Sequence, residues 1–216
     1  AAKQFVALLN LDGTKARLGT GAAPVSGSTE IARVESPAVG TLVQQMLTDS
    51  NNDLAEALAH LVGLKSTGKA TFKSGASATI AAIDDLGIST KGLRLVDGSG
   101  LSHRDRISPI TLASVISATA GDQATALWQI AAGLPVAGLT GTLADRFVAK
   151  GTKQALGYVR AKTGSLNDTV ALAGSVRDRD GRVLVFAVLA NKIPSVAAAR
   201  ATVDRIANQL AKCGCR

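Results

Sequence analysis

The sequence predicts an α+β fold, in which a series of helices is followed by an antiparallel sheet and a closing helix. Residues 170–176 and 183–189 are near-continuous apolar runs typical of buried strands, and the Asp180-Gly181 dipeptide between them favours a hairpin. Residues 157–163 alternate in polarity and predict a third strand. Pro194 then opens a final helix that ends near Ala211.

Upstream of this sheet, apolar periodicity and helix-start signals predict helices at residues 1–11, 37–47, 51–62, 76–86, 109–118, 123–132 and 140–149. Polar, glycine-rich stretches predict loops at residues 14–37 and 65–75, the first containing an edge strand at 31–34. A short strand at 93–96 leads into a tight glycine turn, Asp97-Gly98-Ser99-Gly100. Three strands alone leave an exposed sheet edge, so either residues 1–35 or strands from a preceding segment are expected to cover it.

Composition narrows the functional classes. The chain has 216 residues, of which 46% are hydrophobic and 19% charged, as in a globular domain. The net charge of +8 favours anionic partners, although it equally fits a basic protein with no charged partner. Lys and Arg are scattered and the aromatic content is 3%, which argues against nucleic acid. The apolar run 183–190 is far shorter than the roughly 20 residues of a membrane span. No signal pattern is present, so an export signal would have been removed or would lie outside this sequence.

The cysteines and histidines do not indicate a metal or cofactor site. Cys213 and Cys215 lie in the C-terminal tail and could pair with each other, pair with another segment, or stay free. Two cysteines are too few for a zinc site, and His60 and His103 lack metal-ligand spacing. We therefore predict neither a metal nor a cofactor.

Two short motifs carry chemistry. Lys162-Thr163-Gly164, followed by Ser165, lies on the predicted third strand, and Ser50-Asn51-Asn52 lies at a helix junction. Each motif alone is ordinary, as a strand end or as a helix N-cap. Together, Ser-x-Asn followed about a hundred residues later by Lys-Thr-Gly at a sheet edge matches the second and third parts of the penicillin-recognising serine enzyme signature.

Further segments resemble class C low-molecular-mass penicillin-binding proteins, which are D-alanyl-D-alanine carboxypeptidases/endopeptidases. They are Asp97-Gly98-Ser99-Gly100-Leu101-Ser102, the stretch from Gly141 to Phe147, and the stretch from Arg160 to Leu166. The resemblance runs over nearly the whole chain. It implies that residues 1–216 are the C-terminal part of a β-lactamase/transpeptidase-like domain, with residues 1–35 a candidate return from an inserted subdomain.

The resemblance also implies a reaction. A serine attacks the D-Ala-D-Ala peptide of cell-wall precursors, an acyl-enzyme forms, and water releases it. Penicillins mimic this peptide and acylate the same serine. The expected partners are therefore peptidoglycan peptides and β-lactams, with no nucleic acid, and the expected location is extracytoplasmic, in the periplasm or cell wall.

Catalytic roles are implied for Ser50, Asn52 and Lys162. Lys162 would supply positive charge near the nucleophile and the substrate's terminal carboxylate. Ser50 would pass a proton between the catalytic lysine and the leaving amine, and Asn52 would hydrogen-bond a substrate amide.

Substrate-binding roles are implied for Thr163, Gly164 and Ser165. The Thr163 hydroxyl would bind the carboxylate, and the absence of a Cβ on Gly164 would let the substrate backbone lie against the strand. The Ser165 N–H would be one oxyanion donor.

The family's first motif, Ser-x-x-Lys, holds the nucleophile and its base, and nothing matches it before Ser50. The one match is Ser66-Thr67-Gly68-Lys69, which follows Ser50 and has a poor sequence for the first turn of a helix. Ser66 is interpreted as a loop residue. We expect the nucleophile on an N-terminal segment of the same protein and expect this chain alone to be inactive.

Other functions remain open. A class A β-lactamase needs a glutamate between the second and third motifs, and none lies between residues 57 and 162. A non-catalytic peptidoglycan-binding homologue is the alternative from a different class. The sequence does not distinguish a carboxypeptidase from an endopeptidase.

Overall fold

A computed structural model describes residues 21–22, 26–27, 29, 33–120 and 127–213. The chain divides into two compact units, Ala1–Ser36 and Pro37–Arg216. The described residues of the first unit contain neither helix nor strand, so residues 33–34 do not form the predicted edge strand. The predicted helix at 1–11 and the start of that strand lie outside the described residues.

The second unit contains the regular structure. Its described helices are α1 (Val39–Asp49), α2 (Asn52–Thr67), α3 (Phe72–Asp85), α4 (Pro109–Ala118), α5 (Trp128–Gly133) and α6 (Val196–Lys212). Its strands are β1 (Val159–Leu166), β2 (Thr169–Arg177) and β3 (Val183–Asn191), and short 3-10 turns occur at Gly141–Leu143 and Lys153–Ala155. No helix in the described ranges is long and apolar enough to cross a bilayer. The predicted helices at 37–47, 51–62, 76–86 and 109–118 correspond to α1 to α4.

Side-chain caps explain where several helices begin. The Ser108 side chain accepts a hydrogen bond from Thr111 N–H, and Pro109 occupies the first turn of α4, as predicted. Thr71 and Ser74 form a reciprocal capping box at the start of α3. The Ser195 side chain caps α6. Each cap contributes about 1 kcal/mol to helix stability.

The three strands form one antiparallel sheet in the order β1-β2-β3, as predicted. Lys162 pairs with Ala173 across β1 and β2. The β2–β3 turn is held by Asp178, whose carboxylate accepts hydrogen bonds from the N–H groups of Asp180 and Arg182. The α+β prediction is therefore confirmed.

Helix α6 covers one face of the sheet. Val159 and Ala161 of β1 are fully buried in a cluster with Val203 and Ala207 of α6. Because side chains alternate between faces along a strand, the next residue, Lys162, projects away from this core. This arrangement directs the lysine toward the face of the sheet opposite α6.

The prediction of a helix at residues 140–149 is wrong. Only the 3-10 turn at Gly141–Leu143 forms there, because Gly141 has φ 54° and Phe147 has φ 64°, both incompatible with a continuing α-helix. Tertiary contacts favour this irregular path: Phe147 is buried, and the Arg146 guanidinium forms an ion pair with Asp204 of α6.

Three other sequence predictions differ from the structure. The predicted strand at 93–96 contributes only one bridge, between Arg94 and Arg106. The predicted loop at 65–75 shrinks to residues 68–71, so the interpretation of Ser66 as a loop residue is wrong and Ser66 lies in the last turn of α2. Gly68, at φ 71°, ends that helix and separates Ser66 from Lys69. The predicted helix at 123–132 corresponds to α5, which begins at Trp128, and residues 121–126 lie outside the described part.

Helix α6 ends at Lys212, one residue beyond the predicted end. Cys213 is disulfide-bonded, so it is not a free thiol. Cys215 lies outside the described residues.

Candidate active site

The two sequence motifs meet in one cleft of about 1050 Å³. Its lining includes Ser50, Asn52 and the stretch from Lys162 to Ser165. Lys162 Nζ donates a hydrogen bond to Ser50 Oγ at 2.7 Å, across 112 residues of sequence. The prediction that these motifs converge is confirmed.

Ser50 is held between two helices in an unusual backbone conformation. It follows the last residue of α1 with φ 55° and ψ 46°, in the left-handed region. The next residue, Asn51, caps α2 by accepting a hydrogen bond from Leu54 N–H at 3.0 Å. A non-glycine residue in this region costs about 1–2 kcal/mol, and such strain concentrates at functional sites. The helix junction therefore fixes the direction of the Ser50 side chain.

Lys162 is half-buried, and burial lowers the pKa of its ammonium group below the ordinary value of 10.5. Besides Ser50 Oγ, its Nζ donates to Thr163 O at 2.8 Å. No carboxylate forms a salt bridge with it among the described residues. The site thus holds a partly desolvated cation with uncharged partners.

The edge of β1 is covered at one end and open at the other. Ala161 N–H donates to Pro135 O at 2.9 Å, and Ala137 N–H donates to Val159 O at 3.0 Å. Backbone groups alternate direction along a strand, so those of Thr163 and Ser165 point to the same side as those of Ala161. This side is open to the cleft, where it can pair with an extended ligand.

Gly164 lies close to the neighbouring strand. A Cβ built there would lie 3.3 Å from the Ala171 Cβ, which is tighter than an ordinary van der Waals contact. Gly174 on the neighbouring strand differs, because its added Cβ would lie 2.0 Å from Arg160 O. Packing against β2 thus accounts for part of the preference for glycine at position 164, and the missing Cβ also leaves room beside the strand.

Two residues that sequence reasoning missed contact the hydroxyl groups of β1. Thr163 Oγ1 donates to Thr142 Oγ1 at 2.9 Å, and Arg200 Nη2 donates to Ser165 Oγ at 3.1 Å. Thr142 belongs to a segment that the sequence analysis had singled out for its family resemblance. No sequence pattern indicated a functional role for Arg200, because an arginine on an amphipathic helix usually points into solvent.

Acidic side chains hold the glycine-rich turn that forms another wall. The two carboxylate oxygens of Glu56 accept hydrogen bonds from Ser99 N–H at 2.9 Å and Gly98 N–H at 3.0 Å. Asp97 similarly accepts from Gly100 and Ser102 N–H groups, each at 2.7 Å. Glu56 therefore holds the backbone of this glycine-rich turn.

Asp105, in the same wall, has a raised pKa. Burial raises the pKa of Asp105 to about 6, the hydrogen bond from Val96 N–H opposes that increase, and neighbouring Asp97 and Glu56 add to it. The folded state therefore binds a proton more tightly than the unfolded state does. Its contribution to the free energy of unfolding is present at about pH 4 and is lost as the pH rises through 6.

We expect Asp105→Asn to remove the loss of stability between pH 4 and pH 7, because asparagine does not ionise. The asparagine oxygen can still accept the hydrogen bond from Val96 N–H. At pH 7 the variant should be more stable than the unsubstituted protein, by less than about 1 kcal/mol because the carboxyl is partly solvated. Thermal unfolding from pH 4 to pH 7.5 measures the difference, with the exposed Asp85→Asn of α3 as control. Parallel pH profiles for the Asp105 variant and the unsubstituted protein would contradict this account.

Solved structures with the same fold belong to the penicillin-binding and β-lactamase class. Penicillin binding protein 4 from Haemophilus influenzae, solved in complex with a novel β-lactam, superposes with a TM-score of 0.71 at 27% identity, covering 80% of this chain and 41% of that one. A class A β-lactamase from Bacteroides cellulosilyticus superposes with a TM-score of 0.55 at 15% identity, covering 81% and 62%, which shows the fold alone.

The chain belongs to the D-Ala-D-Ala carboxypeptidase 3 (S13) family, whose model matches residues 1–213. Carboxypeptidase DacB of Mycolicibacterium smegmatis is 40% identical over 190 residues, covering 88% of this chain and 41% of that protein. A D-alanyl-D-alanine carboxypeptidase of Actinomadura sp. is 33% identical over 205 residues, covering 92% and 37%. The chain thus spans less than half the length of these relatives.

Proposed function

We propose that the protein containing this chain is a serine-type D-Ala-D-Ala carboxypeptidase/endopeptidase. It acts on peptidoglycan peptides through an acyl-enzyme, binds β-lactams and works outside the cytoplasm. The observation that carries this proposal is the hydrogen bond between Ser50 and Lys162 beside the open edge of β1. Family membership supports the same reaction class.

The substrate lies along the open edge in this proposal. Its backbone pairs with the outward-facing groups of Thr163 and Ser165, and Gly164 leaves room for it. The Thr163 hydroxyl turns its one proton from Thr142 Oγ1 to the terminal carboxylate, and the Thr142 hydroxyl then donates to Thr163 Oγ1 in return. The Ser165 N–H stabilises the oxyanion that forms when the carbonyl carbon becomes tetrahedral.

Protons and electrons move in two steps. The serine nucleophile forms a bond to the carbonyl carbon, and its proton goes to its neighbouring lysine. The carbon–nitrogen bond then breaks, and Ser50 relays that proton to the leaving amine. Lys162 stabilises the Ser50 oxygen by its hydrogen bond and charge, and Asn52 binds a substrate amide.

The nucleophile is proposed to lie on a segment of the protein outside residues 1–216. Ser66 does not provide it, because Gly68 ends α2 before Lys69 and the two side chains do not share a helix face. In the described sheet, β3 pairs only with β2, so its other edge can accept a further strand. We propose that the segment with the Ser-x-x-Lys motif supplies that strand.

The acyl-enzyme should hydrolyse slowly when the ligand is a penicillin. No glutamate follows Glu56 in the sequence, and the oxygens of Glu56 bind the backbone of the loop at Gly98 and Ser99. Both oxygens of the one glutamate that follows Ser50 are thus already engaged with the protein backbone. This disfavours β-lactamase activity.

Incubation with benzylpenicillin tests the proposal by intact-mass analysis. The complete protein should gain the mass of one penicilloyl group, and peptide mapping should place that group on a serine outside residues 1–216. This chain alone should gain none, because it lacks a serine paired with a helical lysine.

Ser66→Ala is the control variant and should leave acylation of the complete protein unchanged. A penicilloyl group mapped to Ser66 would overturn the assignment of the nucleophile. An unmodified complete protein that still binds peptidoglycan would favour the non-catalytic homologue instead.

A further inference from the structure

Arg200 stands out among the cations near the cleft. It lies in the second turn of α6, is exposed, and donates from Nη2 to Ser165 Oγ at 3.1 Å. Within the described residues no carboxylate pairs with it, whereas Arg146 pairs with Asp204 and Arg182 with Asp178. Packing of α6 therefore does not explain why this guanidinium is held at the sheet edge.

The surroundings of Arg200 are basic. A recess next to Ser165 is lined by Arg200, His103, Leu166, Asn167 and Val196, and Arg200, His103, Ser165 and Leu166 also line the main cleft. No carboxylate lines the recess in the described part of the chain. Of the acidic groups elsewhere in the cleft, Asp105 accepts from Val96 N–H, and Asp168 accepts from the Thr169 hydroxyl. The recess itself is thus lined by positive and neutral groups, and the Asp168 carboxylate lies in the turn that follows β1, outside this lining.

The donors and acceptors of the two groups show how the contact with Arg200 affects the Ser165 hydroxyl. A hydroxyl has one donor and two acceptor positions. Because the guanidinium donates to Ser165 Oγ, the hydroxyl's own proton is free to point toward a ligand. Arg200 has five N–H groups and uses one of them here. Both groups thus keep donors that are not used in this contact.

We propose that Arg200 is a specificity-determining residue that selects ligands carrying a carboxylate at this end of β1. The guanidinium and the Ser165 hydroxyl donate to that carboxylate together, adding to the contact of Thr163. A charge-assisted pair of this kind is stronger than a neutral hydrogen bond. This inference rests on the proposed function, since it takes the open edge as the ligand site.

The test compares acylation of the complete protein by benzylpenicillin and by its methyl ester, which lacks the negative charge. Arg200→Ala should lower the second-order acylation rate for benzylpenicillin by about 10- to 100-fold. The rate for the ester should change by less than about 2-fold. Arg200→Lys should recover much of the rate for the acid, because it restores the charge without the planar fork.

Arg205→Ala is the matched control. It removes the same charge from the same helix, where Arg205 contacts Thr202 rather than the cleft. Its rates with both ligands should match those of the unsubstituted protein.

Three outcomes would overturn the inference while leaving the proposed function intact. They are an equal loss for acid and ester in Arg200→Ala, no loss for either, and an unsubstituted protein that does not distinguish the two ligands. Failure of the unsubstituted protein to be acylated by either ligand is a different result. It would overturn the proposed function and this inference with it.

Discussion

Replacement of Lys162 by methionine is expected to abolish most penicillin acylation and at the same time to stabilise the protein. Loss of a preorganised electrostatic group slows acylation by at least about 10²- to 10³-fold. Stability should rise by about 1 kcal/mol, because methionine fills the space of a partly buried cation that has no carboxylate partner among the described residues. A substitution that lowers activity and raises stability indicates that the original residue serves catalysis rather than folding.

The stability gain of Lys162→Met depends on pH in a direction that follows from the pKa of Lys162. Folding lowers the pKa of Lys162, so the folded state holds the proton less firmly than the unfolded state. The cost of the charged lysine is present at neutral pH and disappears as the pH rises toward 10.5. The stability advantage of Lys162→Met should therefore shrink at alkaline pH. As the pH rises, acylation by the unsubstituted protein should decline because Lys162 loses its charge. This decline should begin at a lower pH than the one at which an ordinary lysine deprotonates.

Urea unfolding at pH 7 and pH 10 and single-turnover acylation measure the two effects in the complete protein. Lys65→Met, at the exposed end of α2, is the control and should alter neither. A Lys162→Met variant that is acylated at the normal rate would remove Lys162 from the proposed mechanism. A large loss of stability would instead mean that the cation holds the fold together.

Removal of the Ser50 hydroxyl has the second-largest expected effect on acylation. Two variants separate the loss of the hydroxyl from the strain of the backbone at residue 50. Ser50→Ala and Ser50→Gly both abolish the proton relay and should slow acylation by about 10²- to 10⁴-fold. Their stabilities should differ, because φ at Ser50 is 55°. Glycine adopts that conformation without the Cβ penalty, so Ser50→Gly should be more stable than Ser50→Ala by about 1 kcal/mol.

Acylation rates and thermal unfolding of the two variants provide the comparison. Ser102→Ala, in the glycine-rich turn, is a control for removing a hydroxyl from the cleft wall away from Lys162. Equal stabilities for Ser50→Ala and Ser50→Gly would show that the backbone at residue 50 is not strained. Normal acylation by both would show that the proton reaches the leaving amine by another route.

Both predictions describe the same feature of the site. The left-handed backbone of Ser50 and the partly desolvated charge of Lys162 each cost free energy, and their side chains meet at 2.7 Å. The antiparallel sheet and the α6 core supply the stability that offsets these costs. Substitutions of these two residues of the candidate active site are therefore expected to raise stability.

Prediction from sequence succeeded where local signals and burial agree. The strands at 170–176 and 183–189 were predictable because buried strands are continuous apolar runs bounded by turn residues, and the start of α4 followed from Ser108-Pro109. The turn at Asp180-Gly181 followed from glycine's access to positive φ, which is 82° at Gly181.

Prediction failed where distant contacts outweigh local preference. Residues 140–149 have a helical composition, but Arg146 pairs with Asp204, and Gly141 lies so close to Thr48 O that an added Cβ would sit 2.2 Å from it. Residues 93–96 have strand character, yet Val96 N–H donates to Asp105 rather than to a neighbouring strand. Arg146 and Asp204 are 58 residues apart, and even Val96 and Asp105 are nine apart, so helix or strand periodicity within a short segment does not predict these contacts.

By itself, the sequence determined the α+β class, the strands of the sheet and the residue types at the motifs, because these depend on periodicity, burial and turn chemistry within short segments. Only the tertiary structure decided that Ser50 and Lys162 share a hydrogen bond, that β1 is open beyond Ala161, and that Arg200 reaches Ser165. Those facts depend on how α1, α6 and the sheet pack together. Packing sets distances that residue order alone does not contain.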